Sequence, residues 1–119
     1  MKYILIMSIF SFLFGNNSVQ DKPIKVLSPE EFKAEIQDKD VQLIDVRTPA
    51  EFEAGHIEGA KNIDFFSGKF NVEFDKLDKE KPVYIYCKSG NRSRQTANKL
   101  AERGFKEIYD LQGGILNYK

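Results

Sequence analysis

The chain has 119 residues, enough for one domain, and its 41 % hydrophobic and 30 % charged residues are a globular balance and not that of a disordered tail. Basic and acidic residues number 18 each. That equality excludes the basic surplus typical of a nucleic-acid binder, so no nucleic acid is expected as a partner.

The N-terminus is set apart. "MKYILIMSIFSFLFGNNSVQ" places the basic Lys2 before an apolar run from Tyr3 to Phe14 and then turns small and polar. This is the layout of a secretory signal, expected over residues 1–20. The run is too short for a membrane-spanning helix, which needs about 20 apolar residues. No cysteine follows it to carry a lipid, so no stable membrane anchor is expected once the signal is cleaved. The expectation is an exported, periplasmic domain. Loss of Lys2 leaves 17 basic residues against 18 acidic ones.

Residues 24–118 then read as the domain. Ile24 to Leu27 form a short apolar strand. Ser28, Pro29 and Glu31 predict a helix start: a cap, a proline in the first turn and the glutamate of a capping box. Phe32 and Ile36, helped by the stem of Lys33, supply its apolar face. "VQLIDVR" is apolar and β-branched, as in a strand buried on both faces. Thr48, Pro49 and Glu51 repeat the helix-start pattern, and Gly55 stops that helix. "AKNID" reads as a further short strand and "VEFDKL" as one or two helical turns. "VYIY" is another buried strand. From Ser93 to Arg103, Ala97, Leu100 and Ala101 recur at helical spacing until Gly104, with Phe105 packing back. "EIYDL" makes a fifth strand, and "GGILNYK" a turn with a short helix. Strands alternating with helices predict a three-layer α/β domain with a largely parallel sheet.

Sites in open parallel sheets form beyond the carboxyl ends of the strands. Three stretches end there, and one of them, "YIYCKSGNRS", carries Cys87, the single cysteine of the chain. One cysteine forms no internal disulfide, and in an oxidising compartment it is either buried and inert or kept for its reactivity. The residues around Cys87 favour reactivity. Gly90 permits the positive φ of a sharp strand-to-helix turn. Consecutive N–H groups then converge in an anion nest at the positive end of the next helix. Lys88, Arg92 and Arg94 add charge. Such settings lower a thiol from about 8.5 to about 4–7, so Cys87 is expected as a thiolate at neutral pH.

These motifs resemble the rhodanese family. "CKSGNRS" is similar to the family's active loop of cysteine, two residues, glycine, one residue, arginine and serine. "LIDVRTPAEFEAGHIEGAKNID" resembles its second signature. "LQGGILNYK" resembles its closing segment, with Tyr118 where members commonly have tryptophan. The resemblance implies a five-stranded, mostly parallel sheet flanked by helices, and sulfur transfer through a cysteine persulfide. It makes Cys87 the nucleophile, with Lys88, Ser89, Gly90, Asn91, Arg92 and Ser93 around the outer sulfur. The donor implied is a small sulfur compound such as thiosulfate. The acceptor is cyanide, a small thiol or a thioredoxin-like protein.

Asp45 and Arg47, two apart at a strand end, are expected to pair and hold the surrounding loops. His56, the single histidine, is expected to make a structural hydrogen bond, since thiolate chemistry needs no general base. No cofactor is expected, and one cysteine with one histidine offers too few soft ligands for a metal. Phe65, Phe66, Phe70 and Phe74 read as core and pocket rim.

Two other functions compete. Some cysteine phosphatases share this fold and place five residues between cysteine and arginine. Here four separate Cys87 from Arg92, and Ser93 stands where the phosphatase arginine belongs. A loop that short is expected to hold a sulfur atom and to be too tight for phosphate. The second competitor is an interaction or sulfur-relay module that acts from protein to protein. The presence of Cys87 argues against an inactive module but is compatible with a relay.

Overall fold

The computed structural model describes residues 23–119. The expected signal segment lies outside them. Five strands form one sheet: β1 (Ile24–Leu27), β2 (Gln42–Asp45), β3 (Lys61–Asn62), β4 (Val83–Tyr86) and β5 (Ile108–Leu111). Their spatial order is β1-β5-β4-β2-β3, and every neighbouring pair is parallel. The helices are α1 (Pro29–Ile36), α2 (Pro49–Ala54), α3 (Phe70–Asp75) and α4 (Asn91–Glu102), followed by a 3-10 turn over Ile115–Asn117. Among the described residues no helix is long and apolar enough to cross a membrane.

Local chemistry accounts for these elements. Ser28 and Thr48 each accept a hydrogen bond from the backbone N–H three residues on, at Glu31 and Glu51, and each glutamate carboxylate accepts in turn from the backbone N–H of its cap. Both predicted capping boxes are therefore present, each with its first-turn proline. Gly104, at φ 96°, ends α4, and the Phe105 N–H bonds back to Leu100. "AKNID" yields a ladder of only two residues, Lys61 and Asn62, against β2.

The sheet separates two apolar layers. On one face Ile44, Ile85 and Ile108 pack under Phe70, Phe74, Ala97, Leu100 and Phe105. On the other, Leu43, Tyr84, Tyr86 and Leu111 pack under Phe32 and Ile36 of α1 and Ile57. Phe32 is fully buried and meets Tyr84 edge-on at 5.7 Å between ring centres. Burying one such side chain contributes about 1.5–3 kcal/mol. Lys33, next to Phe32 on α1, is exposed. All four residues of β4 are buried, the run expected of a central strand covered on both sides. The register aligns Asp45 with Tyr86 and Ile85 with Asp110. The carboxyl ends of β2, β4 and β5 thus open onto one edge of the sheet.

Candidate active site

Cys87 follows the last residue of β4 and is 1 % exposed. The chain leaves the strand, turns at Gly90 in the left-handed region (φ 111°) and enters α4 at Asn91. The helix begins two residues before the sequence pattern suggested. Glycine caps it in a conformation that the apolar spacing from Ala97 onward does not report. The turn folds the Gly90 N–H back onto Cys87 Sγ, to which it donates at 3.0 Å. Cys87 Sγ also donates to Ser93 Oγ at 3.5 Å, and the Ser93 hydroxyl donates to the Gly90 carbonyl at 3.3 Å. No side chain caps α4, which leaves its first-turn N–H groups for whatever occupies the loop. A sulfur anion placed here would meet the Gly90 N–H already aimed at it.

Of the expected loop residues, Lys88 and Ser89 are exposed, Gly90 half-buried and Ser93 buried. Asn91 is exposed, and its side-chain oxygen accepts from Gln95 at 3.5 Å. Arg92 lies on the first turn of α4 and forks onto Glu51 of α2, Nη1 to Oε1 at 2.9 Å and Nη2 to Oε2 at 3.2 Å. That hydrogen bond raises the Arg92 guanidinium above its ordinary value and holds the Glu51 carboxyl down at about 2. The Arg92 guanidinium also lies 5.9 Å from the centre of the Phe66 ring, which is 69 % exposed. Phe70 and Phe74 belong to the core, whereas Phe66 stands at its rim.

Glu51 was legible only as a capping residue. Its second role joins positions 41 apart in the chain, and no local pattern signals it. The C-terminal segment "LQGGILNYK", which carries the resemblance to a closing segment, is another part of the site. Ile115 N–H donates to the Cys87 carbonyl at 2.9 Å, and Leu116 N–H to the Lys88 carbonyl at 3.2 Å. A Cβ at Gly114 would stand 2.3 Å from the Lys88 carbonyl oxygen. The double glycine lets this segment lie directly against the start of the loop.

Asp45 and Arg47 do meet, in a buried pair with Nη2 2.6 Å from Oδ2. Asp45 Oδ1 also accepts from the Arg47 backbone N–H at 2.9 Å, and Arg47 Nη2 donates to the Gly55 carbonyl at 2.7 Å. The hydrogen bond to Asp45 raises Arg47 above its ordinary value. The pair thereby ties the end of β2 to the end of α2. His56 stacks on Phe52 at 3.7 Å between ring centres, and its Nδ1 lies 2.8 Å from the Phe52 carbonyl oxygen. Among the described residues no cluster of histidine, cysteine and carboxylate side chains could hold a metal ion.

The chain is similar in sequence and fold to known proteins. Over 104 residues the chain is 39 % identical to the Bacillus subtilis protein YqhL, covering 87 % of this chain and 79 % of that one. It is 38 % identical over 84 residues to the thiosulfate sulfurtransferase GlpE of Coxiella burnetii, 71 % and 77 % of the two chains. It is also similar to the tRNA uridine(34) hydroxylase of Pelagibacter ubique, 34 % identical over 102 residues, which are 85 % of this chain but only 34 % of that protein. Among solved structures, a Staphylococcus aureus rhodanese-like domain protein superimposes with a TM-score of 0.70 at 28 % identity, over 80 % of this chain and 91 % of that one. The rhodanese-like domain pattern matches residues 28–119, and with these relatives it shows that the chain belongs to the rhodanese-like domain family.

Proposed function

We propose that the protein is a sulfurtransferase that carries sulfane sulfur as a persulfide on Cys87. The observation that carries this is the Gly90 N–H donating to Cys87 Sγ at 3.0 Å at the mouth of an uncapped helix. The Cys87 thiolate attacks the outer sulfur of thiosulfate or a similar donor. The sulfur–sulfur bond of the donor breaks, and sulfite leaves with its electron pair. The persulfide so formed is anionic, and converging N–H groups stabilise it. An acceptor thiolate or cyanide then attacks the outer sulfur and returns Cys87 as a thiolate. This is ping-pong nucleophilic catalysis. Lys88 to Ser93 form the binding loop, and its cations draw in the dianionic donor.

A protein thiol, such as that of a thioredoxin-like partner, fits the surroundings better than a free ion does. Phe66 and Leu116, 69 % and 65 % exposed, belong to segments that touch the loop, at Arg92 and at Lys88. Apolar side chains there would serve a docking partner and offer cyanide nothing. The signal-like order of residues 1–20, a lysine before an apolar run, supports an exported protein that works in the periplasm.

The test is incubation with thiosulfate followed by intact-mass measurement. One added sulfur atom on wild type and none on Cys87→Ser is the expected result. A thiosulfate–cyanide assay run beside an aryl-phosphate assay separates this function from a phosphatase. Sulfur-transfer activity retained by Cys87→Ser would overturn the persulfide mechanism.

A further inference from the structure

Three cations lie in or just past the loop that holds Cys87: Lys88, Arg92 and Arg94. They are not equivalent. Lys88 and Arg94 are exposed and make no ion pair among the described residues. Arg92 is engaged by Glu51, Nη1 to Oε1 at 2.9 Å and Nη2 to Oε2 at 3.2 Å, with the two side chains 17 % and 30 % exposed. The carboxylate is itself held, because Oε1 also accepts from the Thr48 N–H at 2.9 Å and from the Thr48 hydroxyl at 3.1 Å. Capping α2 therefore fixes one negative charge against the loop arginine.

Arg92 stands in the chain between the two groups that touch the sulfur. The Gly90 N–H donates to Cys87 Sγ at 3.0 Å, and Ser93 Oγ lies 3.5 Å from Sγ. A charge placed there acts on an incoming donor without touching it, since exposed charges are felt over about 8 Å at physiological salt. A donor feels the sum of the charges in range. Arg47 is answered by Asp45 at 2.6 Å, and Arg92 by Glu51. Of the basic side chains at the loop, that leaves Lys88 and Arg94 to attract an anion.

The sum sorts donors by charge. The energy of an ion in a given potential is proportional to its own charge, so a unit charge at the rim counts twice for a dianion and once for a monoanion. We propose that Glu51 is a specificity-determining residue for the sulfur donor: by answering Arg92 it biases the site away from dianions such as thiosulfate and toward organic donors of one negative charge, thiosulfonates or persulfides. The proposal rests on the sulfurtransferase reading and narrows its donor class. An organic donor also finds apolar surface at the loop, from Phe66 beside Arg92 and from Leu116, whose N–H binds the Lys88 carbonyl. The transfer step keeps its balance. Cys87 thiolate attacks the outer sulfur, the sulfur–sulfur bond of the donor breaks, and a sulfinate or thiolate leaves with the electron pair.

The experiment compares thiosulfate with methanethiosulfonate, which carries the same outer sulfur on a group with one charge less. It measures kcat/KM for each donor, with cyanide as acceptor at low salt, in wild type, Glu51→Gln, Arg92→Ala and the double variant. Glutamine keeps an acceptor for Thr48 and Arg92 and removes only the charge. Glu51→Gln should raise thiosulfate kcat/KM by about tenfold and methanethiosulfonate kcat/KM by about threefold, its square root. At 1 M salt, where screening acts within about 3 Å, both gains should vanish. The thiosulfate-to-methanethiosulfonate ratio should fall below wild type in Arg92→Ala and return toward it in the double variant, whose charge sum equals that of the intact pair. A disturbed loop would change both donors by the same factor, so the ratio separates charge from structure. Should Glu51→Gln fail to fold, the lowered ratio in Arg92→Ala carries the test. An unaltered ratio in the variants that fold would overturn the proposal. Intact mass after incubation with each donor is scored separately. No sulfur on Cys87 from either donor would overturn the sulfurtransferase reading and this inference with it, whereas loading by both at an unaltered ratio would overturn the role of Glu51 alone.

Discussion

Arg92 and Glu51 form a two-pronged ion pair, at 2.9 and 3.2 Å, that ties the first turn of α4 to the first turn of α2. Glu51 is at the same time the capping-box residue of α2, so a single carboxylate serves the helix and the loop arginine together. The charge of Arg92 is therefore largely answered before any donor arrives. What this arginine does for the site is partly to keep Glu51 neutralised.

A double-mutant cycle follows from that geometry. Arg92→Ala exposes an unanswered Glu51 carboxylate beside the loop, and a dianionic donor is then repelled. The loss should be about one to two decades in donor turnover, the size of a missing charge-assisted contact of about 1.5–3 kcal/mol. Arg94→Ala should cost less, because Arg94 is exposed and holds no such partner among the described residues. Adding Glu51→Gln to Arg92→Ala should recover part of the loss, since glutamine still completes the capping box without a charge. Steady-state rates with thiosulfate measure all three. A double variant no faster than Arg92→Ala alone would show that Glu51 acts on stability and not on donor approach.

Asp45→Ala tests the other pair. Removing one partner of a buried ion pair leaves the second unanswered in a poorly hydrated place, at a cost of about 3–5 kcal/mol. Arg47 would also lose the carboxylate that holds it on the Gly55 carbonyl. The melting temperature should fall well before the rate of persulfide formation does. An unchanged melt with a collapsed rate would make Asp45 part of the chemistry.

How far the sequence reveals this site depends on the range of each interaction. The capping boxes at Ser28 and Thr48 are closed within four residues, so short-range pattern captures them in full. The buried strand "VYIY" shows in composition because it is covered on both faces. Cys87, Gly90 and Ser93 are local to one turn, and their types alone suggest an anion nest. Glu51 with Arg92, and Gly114 with Lys88, are meetings of distant segments. Each of these residues already had a sufficient local explanation, as a helix cap or a turn glycine, and that explanation hid the second contact. Asp110 is hidden differently. In "EIYDL" it sits at an ordinary alternating strand position, and only the packing of α4 makes that position dry.

Gly114→Ala tests the long-range contact at the C-terminal segment. The new Cβ would fall 2.3 Å from the Lys88 carbonyl oxygen and 2.7 Å from the Ser89 nitrogen, both of them backbone atoms that cannot swing aside. The positive φ of 68° adds strain for any residue with a side chain. The active loop should shift away from the segment, lowering sulfur transfer by an order of magnitude or more, with a smaller loss of thermal stability. The control is Gly68→Ala, where no atom lies within 4 Å of the added Cβ. Equal effects at the two positions would mean that the loop does not depend on the C-terminal segment.

Stability against pH should carry two opposed signatures. Glu51 is held at about 2 by its hydrogen bond to Arg92, below its ordinary 4.5. Between those values the unfolded chain binds the proton and the native one does not, so stability falls as pH drops from about 4.5 to about 2. Asp110 is pushed by burial from 3.8 up to about 6. There the native state holds the extra proton, so stability falls as pH rises through that range. Chemical denaturation across pH 2 to 8 should show Glu51→Gln flattening the acid side alone. Asp110→Asn should flatten the side above pH 4 and leave the variant more stable than wild type at neutral pH, because a neutral amide avoids the desolvation that the carboxylate suffers. A neutral-pH loss of stability in Asp110→Asn, with the acid side unchanged, would show that the buried carboxylate is satisfied by a partner and is not strained by its surroundings.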